Sequence, residues 1–322
     1  MNMKLLHTLP LCLLSLAAAT TQAEESSAGG CRYVRIATLP VTMQGNQAII
    51  GGSIDGKDAT MLVDTGSSAT FLMRSSAEQR GLTLHPTGKH AKGVGGYTSL
   101  YKVNLQDFSA GGARSGKVTV PVLGEVGMKA SYDAILGADF LMQADMEVSI
   151  AEKQLKFYKA TGCPDTFLAY WDREAMEVPF ARSDGERRNP LVTVQINGQA
   201  LTAMIDTGAS SSALSMDAAK RLGMGPDAPG VTRDGEYKGV GTDQAARYRA
   251  MFDSFTIGTE TIKNAAINIV ERSDKAGGVY DLILGMDFLR AHRILFANSQ
   301  DRLYISYVGG DVFARPTGPR KP

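Results

Sequence analysis

Ile54 to Leu82 reads IDGKDATMLVDTGSSATFLMRSSAEQRGL, and Ile196 to Met224 reads INGQALTAMIDTGASSSALSMDAAKRLGM. Laid together without gaps at an offset of 142, the two stretches share 10 of 29 residues. Further on, Tyr132 to Met142 (YDAILGADFLM) returns as Tyr280 to Arg290 (YDLILGMDFLR) at an offset of 148, with 8 of 11 identical. Between these blocks Gly93-Val94-Gly95 returns as Gly239-Val240-Gly241 at an offset of 146. Three blocks in one order with small drifts in offset are a duplicated domain. The period is far beyond the roughly 20–50 residues of solenoid repeats, so each copy carries its own core.

Working outward, the first copy is expected over 47–158 and the second over 189–308, joined by 159–188 and preceded by a segment at 24–46. Each copy reads as a strand, a tight turn at Asp55-Gly56 or Asn197-Gly198, and a second strand running into Asp-Thr-Gly. A short helix follows, ending at Gly81 or Gly223, where glycine suits a left-handed cap. Several strands then lead to the Ile-Leu-Gly block and another short helix. The fold class is therefore all-β, mainly strands with short helices. The tail at 309–322 is rich in proline and glycine and is expected to be disordered.

Composition narrows the function classes. The chain has 322 residues, 43% of them hydrophobic, and a net charge of +1, so it is a globular chain with no electrostatic case for nucleic acid as its main partner. Three cysteines and four histidines form no C-x-x-C or H-E-x-x-H, so no metal site and no cofactor are expected. His85, His90 and His292 are read as surface or loop residues, and Cys163 has no histidine partner that would make it a nucleophile. Residues 1–23 hold Lys4, an apolar run from Leu5 to Ala19 and small or polar residues up to Ala23, the pattern of a cleavable signal peptide. The run falls short of the ~20 apolar residues of a membrane span, so no span is expected in the mature chain and its location is expected to be periplasmic or secreted. An oxidising compartment would permit Cys31 and Cys163 to pair, although sequence does not show that they meet.

Asp64 and Asp206 carry the chemistry. Each ends an apolar strand, Met61-Leu62-Val63 or Ala203-Met204-Ile205, at the same point of a duplicated unit, a context that a solvated turn does not need. Here the sequence resembles the retropepsin- and pepsin-like aspartic proteases, on the evidence of Asp64-Thr65-Gly66-Ser67, Asp206-Thr207-Gly208-Ala209, Ile135-Leu136-Gly137 and Ile283-Leu284-Gly285. The resemblance implies two pseudo-symmetric β-barrel lobes, like a retropepsin dimer fused into one chain, with one aspartate from each lobe in a shared site. It further implies an aspartic endopeptidase acting on a protein or peptide substrate, and a monomer. Thr65 and Thr207 would bond across the interface, and Gly93-Val94-Gly95 and Gly239-Val240-Gly241 would form substrate-covering flaps.

Two close carboxylates cannot both ionise cheaply, so one holds a proton and acts as acid while the other acts as base. Gly66 and Gly208 permit close backbone approach beside them. Ser67 stands where the second copy has Ala209. A hydroxyl donating to Asp64 would favour its charged form, leaving the shared proton on Asp206. Asp139 and Asp287 are expected to be structural, at the start of the short helices. Tyr97, beyond the first flap, is expected on a strand. Two rival readings keep the fold: a non-catalytic peptide binder that adds a strand to a sheet edge, and half-sites completed in a homodimer.

Overall fold

The computed structural model describes residues 30–124, 130–182, 188–241, 243–271 and 279–313. The expected signal peptide and residues 314–322 of the tail lie outside the described residues. Among the described residues, strands dominate and no helix is long and apolar enough to cross a membrane.

Local chemistry sets the first hairpin of each copy. Asp55 and Gly56 both have positive φ (49° and 74°), as do Asn197 and Gly198 (49° and 76°), the backbone of a two-residue turn whose twist matches its strands. The turns place Gln47–Ile54 against Lys57–Val63 and Pro190–Ile196 against Gln199–Ile205. Apolar residues at the ends of the second strands, Met61-Leu62-Val63 and Ala203-Met204-Ile205, are buried and deliver each aspartate at the strand terminus. The short helices Arg74–Gln79 and Met216–Arg221 close on left-handed Gly81 and Gly223, with Leu82 and Met224 donating back to Ala77 and Ala219.

Each copy curls into a barrel. In the first, the sheet runs through Gly96–Leu105, Val118–Leu123, Phe71–Met73, Ala134–Leu136, Lys57–Val63, Gln47–Ile54 and Phe108–Ala110. In the second, Pro190–Ile196 pairs with both Gln199–Ile205 and Ala245–Ile257, which closes the circuit. Ala134–Leu136 and Leu282–Leu284 run parallel to the aspartate-bearing strands in matching register, Leu136 beside Val63 and Leu284 beside Ile205.

The copies share a platform. Its strands lie in the order Arg32–Pro40, Gln154–Thr161, Asp145–Ser149, His292–Ala297, Arg302–Tyr307 and Met176–Arg182. The central antiparallel pair matches Met146 with Phe296 and Val148 with Ile294, one strand from each half. The segments flanking the repeated blocks therefore each supply an outer strand, Arg32–Pro40 from before the first and Met176–Arg182 from between the two. Beneath the platform the buried Glu147 carboxylate accepts from Lys156 Nζ (3.1 Å), Tyr158 OH (3.0 Å), Tyr170 OH (2.8 Å) and Arg293 Nε (3.0 Å), so its charge is fully paired across the halves. Cys31 and Cys163 form a disulfide beside the first outer strand.

Two expectations are corrected. His292 is neither loop nor surface. It lies buried in a platform strand, stacked on Phe288, with its ring nitrogens 2.7 Å from the Phe288 carbonyl and 3.0 Å from the Glu260 carboxylate. His85 and His90 are exposed as expected. The start of the tail is ordered by packing, because Phe313 is buried against Phe255 and Phe288, and apolar burial outweighs the chain entropy of these few residues.

Candidate active site

Asp64 and Asp206 sit on loops that continue from the paired strands Lys57–Val63 and Gln199–Ile205. Their backbone N–H groups donate to Leu136 and Leu284, both at 3.0 Å, which ties each loop to the Ile-Leu-Gly strand beneath it. Ala138 and Met286 then donate to the Ser67 and Ala209 carbonyls at 2.8 and 2.9 Å. A Cβ on Gly137 would lie 2.3 Å from the Ala69 carbonyl oxygen, so only glycine lets that strand thread so close.

The two loops lock together through their threonines. Thr65 N donates to Thr207 Oγ1 (3.0 Å) and Thr207 N to Thr65 Oγ1 (3.1 Å). The hydroxyls in turn donate to the Ile205 (2.7 Å) and Val63 (2.8 Å) carbonyls of the opposite copy. Both threonines are fully buried, so four backbone groups that water cannot reach are paired by two side chains.

This lock brings the two carboxylates together, each set against the glycine of the opposite loop. The approach depends on glycine at Gly66 and Gly208: a Cβ on either would stand 2.3 Å from the Cγ of the opposite aspartate. Burial pushes both carboxyls above the usual carboxylate range, and Asp64, which also feels the Asp206 charge, is pushed well above it. Asp206 Oδ1 accepts from Gly208 N (2.9 Å) and Ala209 N (3.0 Å), whereas Asp64 Oδ1 accepts from Ser67 N (2.9 Å). The charge is better held on Asp206 and the shared proton on Asp64.

That reverses the expectation drawn from Ser67. Its hydroxyl donates to the Ala69 carbonyl at 2.8 Å, leaving only its backbone N–H on Asp64. A hydroxyl offered both a carbonyl and a carboxylate takes one of them, and here loop geometry favours the carbonyl.

Asp139 and Asp287 brace these loops. Asp139 Oδ1 accepts from Thr70 Oγ1 (2.8 Å), and the buried Asp287 Oδ1 from Ser212 Oγ (2.6 Å) and Ser212 N (2.8 Å). Thr70 and Ser212 hydroxyls accept from Gly137 N (3.2 Å) and Gly285 N (3.0 Å), linking helix, loop and strand. The carboxylates of both are taken up by these loop and helix groups.

The Gly-Val-Gly segments form tips that meet. The strands His85–Gly93 and Gly96–Leu105 make one hairpin, Thr232–Tyr237 and Ala245–Ile257 the other. Gly95 N donates to the Val240 carbonyl (2.9 Å), and Asp243 N donates to the Gly95 carbonyl (2.8 Å). Val94 of the first tip packs among Leu191, Met204, Ala209 and Ile283 of the second copy, while Val240 packs among Leu62, Leu123 and Ile135 of the first. Tyr97 is exposed on the first hairpin with Lys92 Nζ 5.5 Å from its ring centre.

Sequence reasoning overlooked several supports. Asn189 Nδ2 donates to the Thr65 carbonyl (2.7 Å), and its counterpart Asn46 to the Ser210 carbonyl (3.0 Å). The signal was present, since the two asparagines stand 143 apart, one residue off the offset of the Asp-Thr-Gly blocks. Asp133 and Asp281 in the repeated Tyr-Asp pairs anchor their strands to Thr60 and Thr202 and to Arg80 and Arg221. Among the described residues no group of three or more His, Cys, Asp or Glu side chains could hold a metal ion.

Comparisons with known proteins fall on the same two copies. The family described as "Aspartyl protease" matches residues 50–140, and that described as "gag-polyprotein putative aspartyl protease" matches residues 192–291. No curated protein matches the chain. Among solved structures, an aspartic proteinase from Irpex lacteus is similar over 88% of this chain and 99% of its own, with a TM-score of 0.53 at 14% identity, which is a likeness of fold. The two tandem family matches, the two-barrel fold and the facing Asp-Thr-Gly loops together make this chain a two-lobed member of the retropepsin- and pepsin-like aspartic protease superfamily.

Proposed function

We propose that the protein is an aspartic endopeptidase that hydrolyses peptide bonds of an extended protein or peptide substrate held between the lobes and the flap tips. The reading rests on one observation above all: two carboxyls, one from each copy, are held by interlocked Asp-Thr-Gly loops, each against the glycine of the opposite loop, where burial pushes both upward in pKa. Binding alone has no use for so costly a pair.

In this mechanism Asp206, charged, removes a proton from water as its oxygen attacks the carbonyl carbon, and Asp64 passes its proton to the carbonyl oxygen. The resulting gem-diol collapses when Asp206 returns a proton to the amine nitrogen and Asp64 takes one from a diol hydroxyl. The C–N bond breaks, and both carboxyls regain their starting states. The chain acts as a monomer, since it carries both aspartates. Export to the periplasm or the exterior fits the Cys31–Cys163 disulfide and the apolar leader.

The test is cleavage of an unfolded protein substrate by the wild type and by Asp64→Asn and Asp206→Asn. Loss of activity by at least about a thousandfold in each variant is expected, as for removal of an essential acid or base. Turnover unchanged in either variant refutes the assignment.

A further inference from the structure

The two walls of the cleft are built from matching positions filled differently. Phe71 lies opposite Ile135 in the first lobe, and Ala213 occupies the same place opposite Ile283 in the second. Met73 corresponds to Ser215 on the same strands. The hairpins show the reverse distribution. Two residues before each flap tip, the first has Ala91 opposite Thr98, and the second has Tyr237 opposite Ala245. Thus the aromatic ring of the first lobe stands on its barrel wall, and that of the second hangs from its flap.

Tyr237 packs against the cluster of Ala213, Ala245 and Val270, and Val94 from the opposite flap tip packs against the same cluster. Burial above all, followed by the charges of Asp206, Asp287, Tyr280 and Asp64, raises the Tyr237 phenol pKa. Val94 also packs against the cluster of Leu191, Met204, Ala209 and Ile283, which includes Ala209 of the Asp206 loop. The space between Tyr237 and that loop therefore already holds one branched aliphatic side chain, belonging to the protein itself.

We propose that this space is the seat for a substrate side chain on one side of the scissile bond, and that Tyr237 is the residue that limits it to a valine-sized aliphatic group. The proposal rests on the endopeptidase reading. A peptide enters when the Gly95–Val240 and Asp243–Gly95 hydrogen bonds open, and its side chain then replaces that of Val94. Removing the Tyr237 ring leaves Ala213, Ala245 and Val270 as the boundary, which gives an aromatic side chain the volume the ring had filled.

The experiment measures kcat/KM for a peptide library that varies both residues flanking the cleaved bond, using the wild type, Tyr237→Ala and Tyr237→Phe. The wild type is expected to favour Val or Ile over Phe at one of the two positions. Tyr237→Ala should shift the Phe-to-Val ratio at that position by tenfold or more and leave the other position unchanged, while Tyr237→Phe keeps the wild-type ratio. If Tyr237→Ala does not fold, Tyr237→Leu should shift the ratio in the same direction. A ratio within twofold of wild type in the folded variant overturns the proposal and leaves the peptidase reading standing. A wild type as silent as Asp64→Asn on the whole library overturns both.

Discussion

Thr65 and Thr207 each hold the other's backbone N–H with a side-chain hydroxyl, at 3.0 and 3.1 Å, and each donates that hydroxyl to a carbonyl of the opposite copy. The site is thus a joint of two halves, and its geometry depends on this joint. Thr207→Val keeps the shape and strands the buried Thr65 N–H and Val63 carbonyl, at about 1–3 kcal/mol for each unsatisfied group. Urea unfolding should show that loss together with reduced kcat, whereas Thr207→Ser should recover most of both. A Thr207→Val variant as stable and active as wild type contradicts the role.

Gly66 and Gly208 each face the opposite aspartate at a distance that excludes a methyl group. Gly208→Ala should push Asp64 away from Asp206 and lower kcat by roughly a hundredfold or more, the scale expected when a catalytic group is misplaced by about 1 Å. Circular dichroism should remain that of a folded β protein. Retained activity would mean that the pair does not need its present separation.

Ser67 supplies a contrast. Its hydroxyl serves the Ala69 carbonyl, so Ser67→Ala should leave the acidic limb of the pH–rate profile in place. The stability cost should be about 0.5–1.5 kcal/mol, the net value of one hydrogen bond. Displacement of the acidic limb by a full pH unit would show that the hydroxyl reaches Asp64 during catalysis.

The raised carboxyls give stability a definite pH slope. The folded state binds the shared proton more tightly than the unfolded chain does, so the dyad costs nothing below the ordinary aspartate pKa and weakens the fold as pH rises above it. Asp64→Asn should therefore raise Tm at pH 7, with the gain fading below about pH 4. In the wild type, the one-proton state needed for turnover begins where Asp206 ionises, above the usual carboxylate range, and ends where Asp64 does. A Tm gain equal at both pH values argues against the shift.

The Cys31–Cys163 bond closes a separation of 132 residues at the edge of the platform. Its removal by Cys31→Ala with Cys163→Ala should cost about 2–5 kcal/mol. The dyad lies on other strands, so kcat at low temperature should be close to wild type. Calorimetry with and without reductant measures the first, and initial rates the second.

The features legible in the sequence are those that backbone or chemistry restricts to particular residue types. Asp55-Gly56 and Asn197-Gly198 had to turn with positive φ, and Asp-Thr-Gly had to repeat because both aspartates and both threonines are used at once. The outer platform strands Arg32–Pro40 and Met176–Arg182 left no such mark. They pair through backbone groups and need only partial burial, so RYVRIATLP and MEVPFAR diverged freely. Ser67 misled because its orientation is a choice between two acceptors, and His292 because burial of one polar ring depends on Glu260, a partner 32 residues away. Asn46 and Asn189 were readable from their spacing and were overlooked because asparagine before a strand is commonplace.

The central pairing of Met146 with Phe296 has a consequence for synthesis. When the first half leaves the ribosome, the strand Asp145–Ser149 has a bare hydrogen-bonding edge that stays open until the last strands of the second half are made. The contact is antiparallel between equivalent strands, so another nascent first half offers the same edge in the same sense. Covalent linkage of the two halves keeps the proper partner at a local concentration that favours the intramolecular pairing.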